Sequence, residues 1–499
     1  MSKIESRYDV VVIGAGIGGI TAGAMLAKEG KKVLIVEAEM QAGGCARAWR
    51  RGPYTFDVAD HLIMGCGADG PFGPGLIDSV LRHLGVRDRC EFIRMDAPMY
   101  VGQFPDFQLA APGGREQFAE AHLRHFPDPA HGLRRLLELS SEITREVMSM
   151  PLKPGLFDLV RMPRRFPALF RYRNATMKDV IDAELPDARL RAVYETLWSW
   201  IGPPPAAASF LMWAMMMGFY IEDGAYYPRG GYQRFADAFV AGLEAAGGQL
   251  MLGTRVRRVL VANGHVRGVV LDNGDTITAP VVLSNIDALE TFKTLLGPEI
   301  VPRRSLDHLR RLRVGLPVLA LYTATDLDVR ALGAEHDTTL FTGWDHDQCY
   351  ASVARGELAL LSILIPTLKD PSLAPAGQHL VILKSIAPPR QTDERVRADQ
   401  MLELAERVLP GLRQHLVFVD DSAGPSKLHH LGPYAGWAMT ADQAGLHRLP
   451  QKTPVHGLWL VGQWTRPGHG ILPVVTSGIA AARLVLHAST SAPALPLAA

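Results

Sequence analysis

The spacing of apolar residues changes several times along the chain, and each change marks an element. Val10-Val11-Val12-Ile13 is a β-branched run too short for a helix, which predicts a buried strand. Small and apolar residues at helical spacing follow to Gly30, and Val33-Leu34-Ile35-Val36 predicts a second strand ending at Glu37. From about Leu76 to Met150 the spacing is helical, as over Gly132 to Val147. Leu250 to Ala279 alternates instead: Val256 to Val261, Val266 to Leu271 and Thr276-Ile277 read as strands, with Asn263-Gly264 and Asn273-Gly274 as hairpin turns. Val281 to Asn285, Pro317 to Thr323, Leu358 to Ile365 and Leu380 to Ile386 predict further strands. Helices are expected over Phe235 to Ala245, closed by Gly247-Gly248, over Arg397 to Leu409, and over Ile471 to Leu486. Gly457 to Gly462 repeats the strand-then-glycine pattern of the N-terminus, and the tail 488–499 is expected to be disordered.

Between the first two strands stand Gly14, Gly16 and Gly19. In that position glycines allow a tight turn, backbone approach to a pyrophosphate, and close helix packing. The helix N-terminus beyond them favours negative charge, and Glu37 stands where an acid meets ribose hydroxyls. Strand, glycines, helix, strand and acid in this order identify a dinucleotide site.

Composition narrows the remainder. A chain of 499 residues has room for two or three domains, and a net charge of +1 gives no argument for nucleic acid or an acidic partner. Cys45, Cys66, Cys90 and Cys349 lack metal-ligand or redox spacing, so reduced thiols and a cytoplasmic setting are expected. The first strand starts so early that no cleavable leader is expected before it. Apolar stretches such as Phe210 to Gly218 fall short of the ~18 residues of a membrane span. No zinc ligand set, paired carboxylates or Ser/His/Asp arrangement stands out.

Three other stretches carry candidate chemistry. Gly43-Gly44 just past Glu37 suits a flavin enzyme better than a nicotinamide enzyme, with Arg47 near the phosphates or the flavin edge; the plain alternative is a loop with a surface Arg. Leu152 to Arg173 mixes Phe157, Phe166 and Phe170 with Arg161, Arg164, Arg165 and Arg171. It reads either as an element lying on an anionic bilayer or as a solvated basic face over its own core. Phe210 to Tyr220, with Met212, Met215, Met216 and Met217, is either an adaptable channel lining or a core helix.

Together with Tyr227-Pro228-Arg229-Gly230-Gly231, Asp370-Pro371 through Ala374-Pro375, and Leu460-Val461-Gly462 followed by Pro467-Gly468-His469-Gly470-Ile471, these blocks resemble the phytoene desaturase, carotenoid isomerase and retinol saturase family of flavoproteins, relatives of the monoamine oxidases. The resemblance implies an α/β fold: a Rossmann-type FAD-binding domain of the glutathione-reductase kind with an inserted α+β substrate domain. The FAD domain would be discontinuous, from 1–85, 235–295 and 450–487, and the substrate domain would come from 86–234 and 296–449. It implies FAD held by Gly14, Gly16, Gly19, Glu37, Gly43, Gly44, Arg47, Val256, Gly462, Gly470 and Ile471. Trp213, Met216, Phe219, Tyr226, Tyr227 and Trp464 would line the substrate channel. Where the family has Asp, any residue, Gly, this chain has Asp57-Val58-Ala59. His61 stands where the saturase and isomerase branch often carries His, and reads as a proton donor or acceptor or as a structural histidine.

The chemistry expected from the resemblance is desaturation, saturation or isomerisation of a long apolar polyene, by hydride transfer to or from flavin N5. Contact with the inner membrane face would run through Leu152 to Arg173. Two alternatives share the scaffold: an amine oxidase, with aromatics flanking the flavin in the last strand-turn block, and a lipid or prenyl carrier, which would lack the flavin-holding glycines.

Overall fold

Five parallel strands carry the N-terminal motif, in the order Leu458–Leu460, Val281–Ser284, Val10–Ile13, Val33–Val36, Gln249–Met251. Val10–Ile13 is central and buried on both faces, which is why its sequence is unbroken Val and Ile. The strands come from three separated stretches of chain. The structure, a computed structural model, describes residues 4–58, 62–70, 72–95, 97–127, 130–150, 156–387, 394–420, 422, 429–431 and 436–490.

Helix Ile17–Lys28 leaves the central strand and packs against Tyr232–Ala245 and the last helix, Ile471–Thr490. The approach to the last helix is close: a Cβ on Gly478 would lie 2.7 Å from the Gly18 carbonyl. That last helix passes the length and apolar composition of a membrane span, contrary to expectation, and 56% of the qualifying stretch Ile471–Ala488 is buried inside the protein. It runs on to Thr490, four residues past the expected end at Leu486; 491–499 lie outside the described residues. An antiparallel hairpin unit, Val256–Ala262, His265–Leu271 and Thr276–Thr278, stands beside the parallel sheet. Asn263 turns the first hairpin at φ 53°, the left-handed region that Asn tolerates.

The second sheet joins both long insertions. Val318–Thr325, His379–Ile386, Leu360–Leu364 and Asp337–Phe341 pair antiparallel in that order, and Asp337–Phe341 then pairs parallel with Tyr100–Phe104. Here the helical expectation for Leu76 to Met150 is corrected. Helices Leu76–Leu84, Arg115–Leu123 and Ala130–Met148 are present, but Tyr100–Phe104 and Phe107–Ala111 form a hairpin between them. Tyr100, Val101 and Phe104 are all buried, so the strand lacks the alternation that marks one, and the second of its two partners is more than 200 residues away.

Of the basic stretch, 152–155 lie outside the described residues, and the rest includes two short helices, Leu156–Arg165 and Pro167–Tyr172. Phe166 and Leu169 turn into the protein's own core, while Phe170 and Arg161, Arg164, Arg165, Arg171 and Arg173 stay outside.

Candidate functional site

The strand Val10–Ile13 ends in Gly14, and the helix that follows begins at Gly16 with no side-chain cap and no acid in its first turn. Its first-turn N–H groups therefore face outward without a neutralising partner, ready for an anion. The floor excludes side chains: a Cβ on Gly16 would lie 2.7 Å from Asn285 Nδ2, and one on Gly44 would lie 3.0 Å from the Gly16 Cα. Gly43 is hydrogen-bonded to this loop, its N–H donating to the Ala15 carbonyl at 2.7 Å. Gly19 faces the Gly14 carbonyl at the start of the helix.

Glu37 stands at the end of the second strand, as expected, with its carboxylate turned to backbone. Its oxygens accept from Ala15 N–H at 2.6 Å and Glu39 N–H at 2.9 Å. It braces the glycine loop, and each oxygen keeps a lone pair for a ribose hydroxyl. Val256 is buried two residues beyond Thr254, whose N–H donates to the Glu37 carbonyl at 2.9 Å. Arg47 is half-buried between Ala46 and Ala48, with no ion pair among the described residues, and its charge reaches the Tyr322 hydroxyl.

Asn285 went unnoticed in the sequence except as the end of a strand. Its N–H donates to the Ile13 carbonyl at 2.9 Å, and its side chain stands among Gly14, Gly16, Gly18 and Gly462. The only local signal is an Asn ending a strand that neighbours the glycine strand. Arg448 was missed altogether. It is 1% exposed, and its guanidinium donates to the carbonyls of Thr465 at 3.1 Å, Trp437 at 3.0 Å and Gln463 at 2.6 Å. Burial pulls its pKa down to about 10. It thereby fastens the loop between Gly462 and Gly470, beyond which Ile471 opens the last helix. His469, in the same loop, is hydrogen-bonded through Nε2 to the Trp200 carbonyl at 2.9 Å, and burial lowers its pKa to about 4, so it is neutral at pH 7.

Gly470 and Ile471 form part of the wall of a cavity of about 1070 Å³. Eight methionines line it, and among them Met212, Met215 and Met216 come from helix Phe210–Gly218. Phe219 and Tyr220 follow from the π-helical turn Phe219–Asp223 that extends this helix. Of the expected channel residues, Met216 and Phe219 line the cavity and four do not. Trp213 is on the other helical face, edge-on to Tyr194 at 5.8 Å, because the cavity takes positions 212, 215, 216 and 219. Tyr226 sits in a strand paired with Phe92–Arg94, its hydroxyl donating to the Asp223 carbonyl at 3.0 Å. Tyr227 donates to Asp57 Oδ2 at 2.5 Å. Trp464 stands edge-on to Trp437 at 5.0 Å, in a separate core cluster. His61 lies outside the described residues.

Asp57 secures the block before Tyr232–Ala245, its Oδ1 accepting from Tyr232 N–H at 2.8 Å. Burial raises its pKa to about 6, against lowering by the Tyr227 and Tyr232 hydrogen bonds. With the folded pKa above the unfolded one, the native state holds a proton that the unfolded chain has released, so this contribution is complete below pH ~4 and is lost as pH rises through 6. Asp57→Asn removes the titration. The stability of Asp57→Asn relative to wild type should improve by on the order of 3 kcal/mol between pH 3.5 and pH 7.5, read from urea unfolding at the two pH values. A pH-independent difference would mean that Asp57 titrates as an ordinary carboxylate.

The cradle fits a dinucleotide by three features of its own: a bare helix N-terminus, a floor closed to Cβ atoms, and an acid at the second strand. Comparison with known proteins identifies which dinucleotide. The profile of the family described as flavin containing amine oxidoreductase matches residues 17–486. Prolycopene isomerase 1 of an Oncidium hybrid cultivar is 27% identical over 97% of this chain and 85% of that protein. All-trans-retinol 13,14-reductase of Danio rerio is 24% identical over 93% and 83%, and phytoene desaturase (lycopene-forming) of a Paracoccus species 26% over 97% and 98%. Among solved structures, an oxidoreductase from Methanosarcina mazei superposes with a TM-score of 0.68 at 18% identity, covering 96% of this chain and 100% of that one. Putrescine oxidase bound to putrescine gives 0.63 at 15% identity, covering 96% and 99%.

Proposed function

We propose, from the premise that the chain belongs to the flavin-containing amine oxidoreductase family, that this flavoenzyme desaturates, saturates or isomerises C–C and C=C bonds of a long apolar polyene. FAD is its cofactor and supplies the redox chemistry when bound. The observation that carries the substrate class is the cavity: large, with apolar side chains, eight methionines among them, over most of its wall, and reaching the Gly470–Ile471 helix N-terminus. Methionines adapt to an extended apolar chain and exclude water from it. The Gly470 and Ile471 backbone presents a helix N-terminus to that cavity, where developing negative charge is favoured. Gly43 and Gly44 would hold the dinucleotide beside the Gly16 turn, the Gly462–Gly470 loop would meet its remainder, and Met212, Met216 and Phe219 would line the path of the apolar chain. The relatives named for prolycopene, retinol and phytoene lend the same support.

Amine oxidation is disfavoured by Trp464, the one Phe, Tyr or Trp between Gly462 and Gly470, which turns away from the cavity. A carrier role is disfavoured by retention of the whole glycine cradle. The test is to incubate the yellow holoenzyme with lycopene isomers, phytoene and retinol, and to separate products by chromatography. A new polyene product is expected. Steady peroxide release from simple amines, with every polyene unchanged, would point to an amine oxidase.

A polyene of this size is supplied from lipid, and we place the docking face at the basic helices Leu156–Arg165 and Pro167–Tyr172. Phe166 and Leu169 are committed to the core, so the contact would rest on Phe170 and the exposed arginines. Each arginine contributes about 1 kcal/mol at an anionic surface. Reversing Arg161, Arg164, Arg165 and Arg171 to Glu should abolish co-sedimentation with anionic liposomes at low salt. Unchanged sedimentation, with flavin intact, would exclude this face.

A further inference from the structure

A second group of arginines lies far along the chain from the helices Leu156–Arg165 and Pro167–Tyr172. Residues 303–313 hold five arginines against one aspartate, in a chain whose net charge is +1. They form helix Arg303–Arg311 and the two residues beyond it. Leu306, Leu309 and Leu312, spaced by three, pack on the core cluster that holds Trp437 and Trp464. That anchoring fixes the rotation of the helix, and Arg303, Arg304, Arg310, Arg311 and Arg313 are all exposed. Arg310 pairs with Asp307 at 3.1 Å and Arg313 with Asp442 at 2.6 Å. Exposed pairs of this kind hold little free energy, and the field of the cluster stays positive.

The fold brings this helix beside the first basic stretch. Val314 pairs with Trp437, Thr440 with Ala208 and Ser209 with Thr176, three backbone bridges in a row. Thr176 lies just past Arg171 and Arg173, so the two arginine groups flank this strip, on the order of 15 Å across at the usual strand spacing. Asn174, Thr176, Arg313 and His447 line one cleft of about 510 Å³ between them. Leu446, next to His447, is 52% exposed and also lines the methionine cavity, so that cavity meets the surface beside the cleft. Val314 is 40% exposed and Phe170 36%. Apolar side chains thus stand outward among arginines at an opening of the apolar cavity.

We propose that helix Arg303–Arg311, with Arg313 and Val314, is a second docking element that seats the cavity opening at Leu446 on an anionic lipid bilayer. The inference rests on the reading that the substrate is supplied from lipid, and it widens the docking face from one helix pair to both sides of the cleft. The arginines meet lipid phosphates, which match the guanidinium fork, while Val314, Leu446 and Phe170 reach the acyl boundary. A nucleic acid gives these exposed apolar side chains no use. Two basic groups hold the protein in one orientation, with the opening toward lipid, where a single group lets it tilt.

Sedimentation of the full-length holoenzyme with vesicles tests this. The vesicles are phosphatidylcholine alone and phosphatidylcholine with about 30% phosphatidylglycerol, which supplies the anionic surface. Wild type should bind the anionic vesicles at low salt and release them as salt rises. Arg303→Gln, Arg304→Gln, Arg310→Gln and Arg311→Gln combined should weaken that binding by at least about 100-fold, and lysine at the same four positions should keep most of it. Flavin absorbance and the unfolding midpoint report whether each variant is folded. Should the fourfold variant not fold, Arg303→Gln with Arg304→Gln decides, with an expected loss of about 10-fold. Unchanged binding by the folded glutamine variants overturns the second docking element and leaves the first basic stretch standing. Loss in the glutamine variants, with none on charge reversal of Arg161, Arg164, Arg165 and Arg171, upholds this element and moves the docking face onto it. Wild type that prefers a DNA duplex to anionic vesicles overturns the bilayer as partner, and wild type that ignores both overturns both docking elements. The polyene reading is judged separately, by the product chromatography.

Discussion

The Gly16→Val protein is expected to fold and to emerge from purification colourless. Gly16 has an ordinary backbone conformation, φ −70° and ψ 164°, so valine brings no dihedral strain there. What it brings is volume. A Cβ at this position already lies 2.7 Å from Asn285 Nδ2, and the added methyls would cover the bare helix N-terminus that the pyrophosphate must reach. Flavin absorbance per mole of folded protein should fall to background, with circular dichroism unchanged. Glu37→Ala provides the contrast: it removes acceptors without adding a clash, so FAD affinity should drop by about 10-fold, the equivalent of one or two hydrogen bonds. If Gly16→Val kept its flavin, the dinucleotide would have to lie elsewhere.

Replacing Arg448 with Met should have the largest effect on stability. The side chains are of similar length, but Met offers no donors, so three carbonyls of the loops 437–439 and 463–465 would lose their donor, two of them in buried surroundings. Hydrogen bonds from a charged donor contribute about 1.5–3 kcal/mol each, so a loss above ~3 kcal/mol is expected in urea unfolding. The Gly462–Gly470 loop would loosen with it, and flavin should dissociate at lower urea than the protein unfolds. An unchanged midpoint with unchanged flavin release would show that the loop holds its course by other contacts.

The cofactor cradle was largely legible in the sequence, because a strand, a glycine turn and a helix are consecutive and their constraints are local. Gly14, Gly16, Gly19, Gly43 and Gly44 could be named in advance for that reason, and the Asn263-Gly264 hairpin because its turn is set by two residues. Asn285 and Arg448 could not be. Their importance lies in groups far along the chain: Asn285 meets glycines at 14, 16 and 462, and Arg448 meets carbonyls on two other loops.

The substrate side shows the division most clearly. Helical spacing marked Phe210–Gly218, but an all-apolar helix has no polar stripe to orient it. Only its packing decided that Met212, Met215 and Met216 face the cavity while Trp213 faces Tyr194. Strand Tyr100–Phe104 was hidden for a similar reason: buried on both faces, it lacks alternation, and its hairpin with Phe107–Ala111 is joined to the sheet through the distant strand Asp337–Phe341. Lys384 could be seen as a charge within an apolar strand, yet whether it faced solvent, a partner or a cavity depended on sheet register. Residue order alone determines what neighbouring residues impose on one another, such as the glycine turn, hairpin turns and helical period. The rotation of an apolar helix, the face of a buried strand and the partner of a buried cation arise from pairings hundreds of residues apart, and only the tertiary structure decides them.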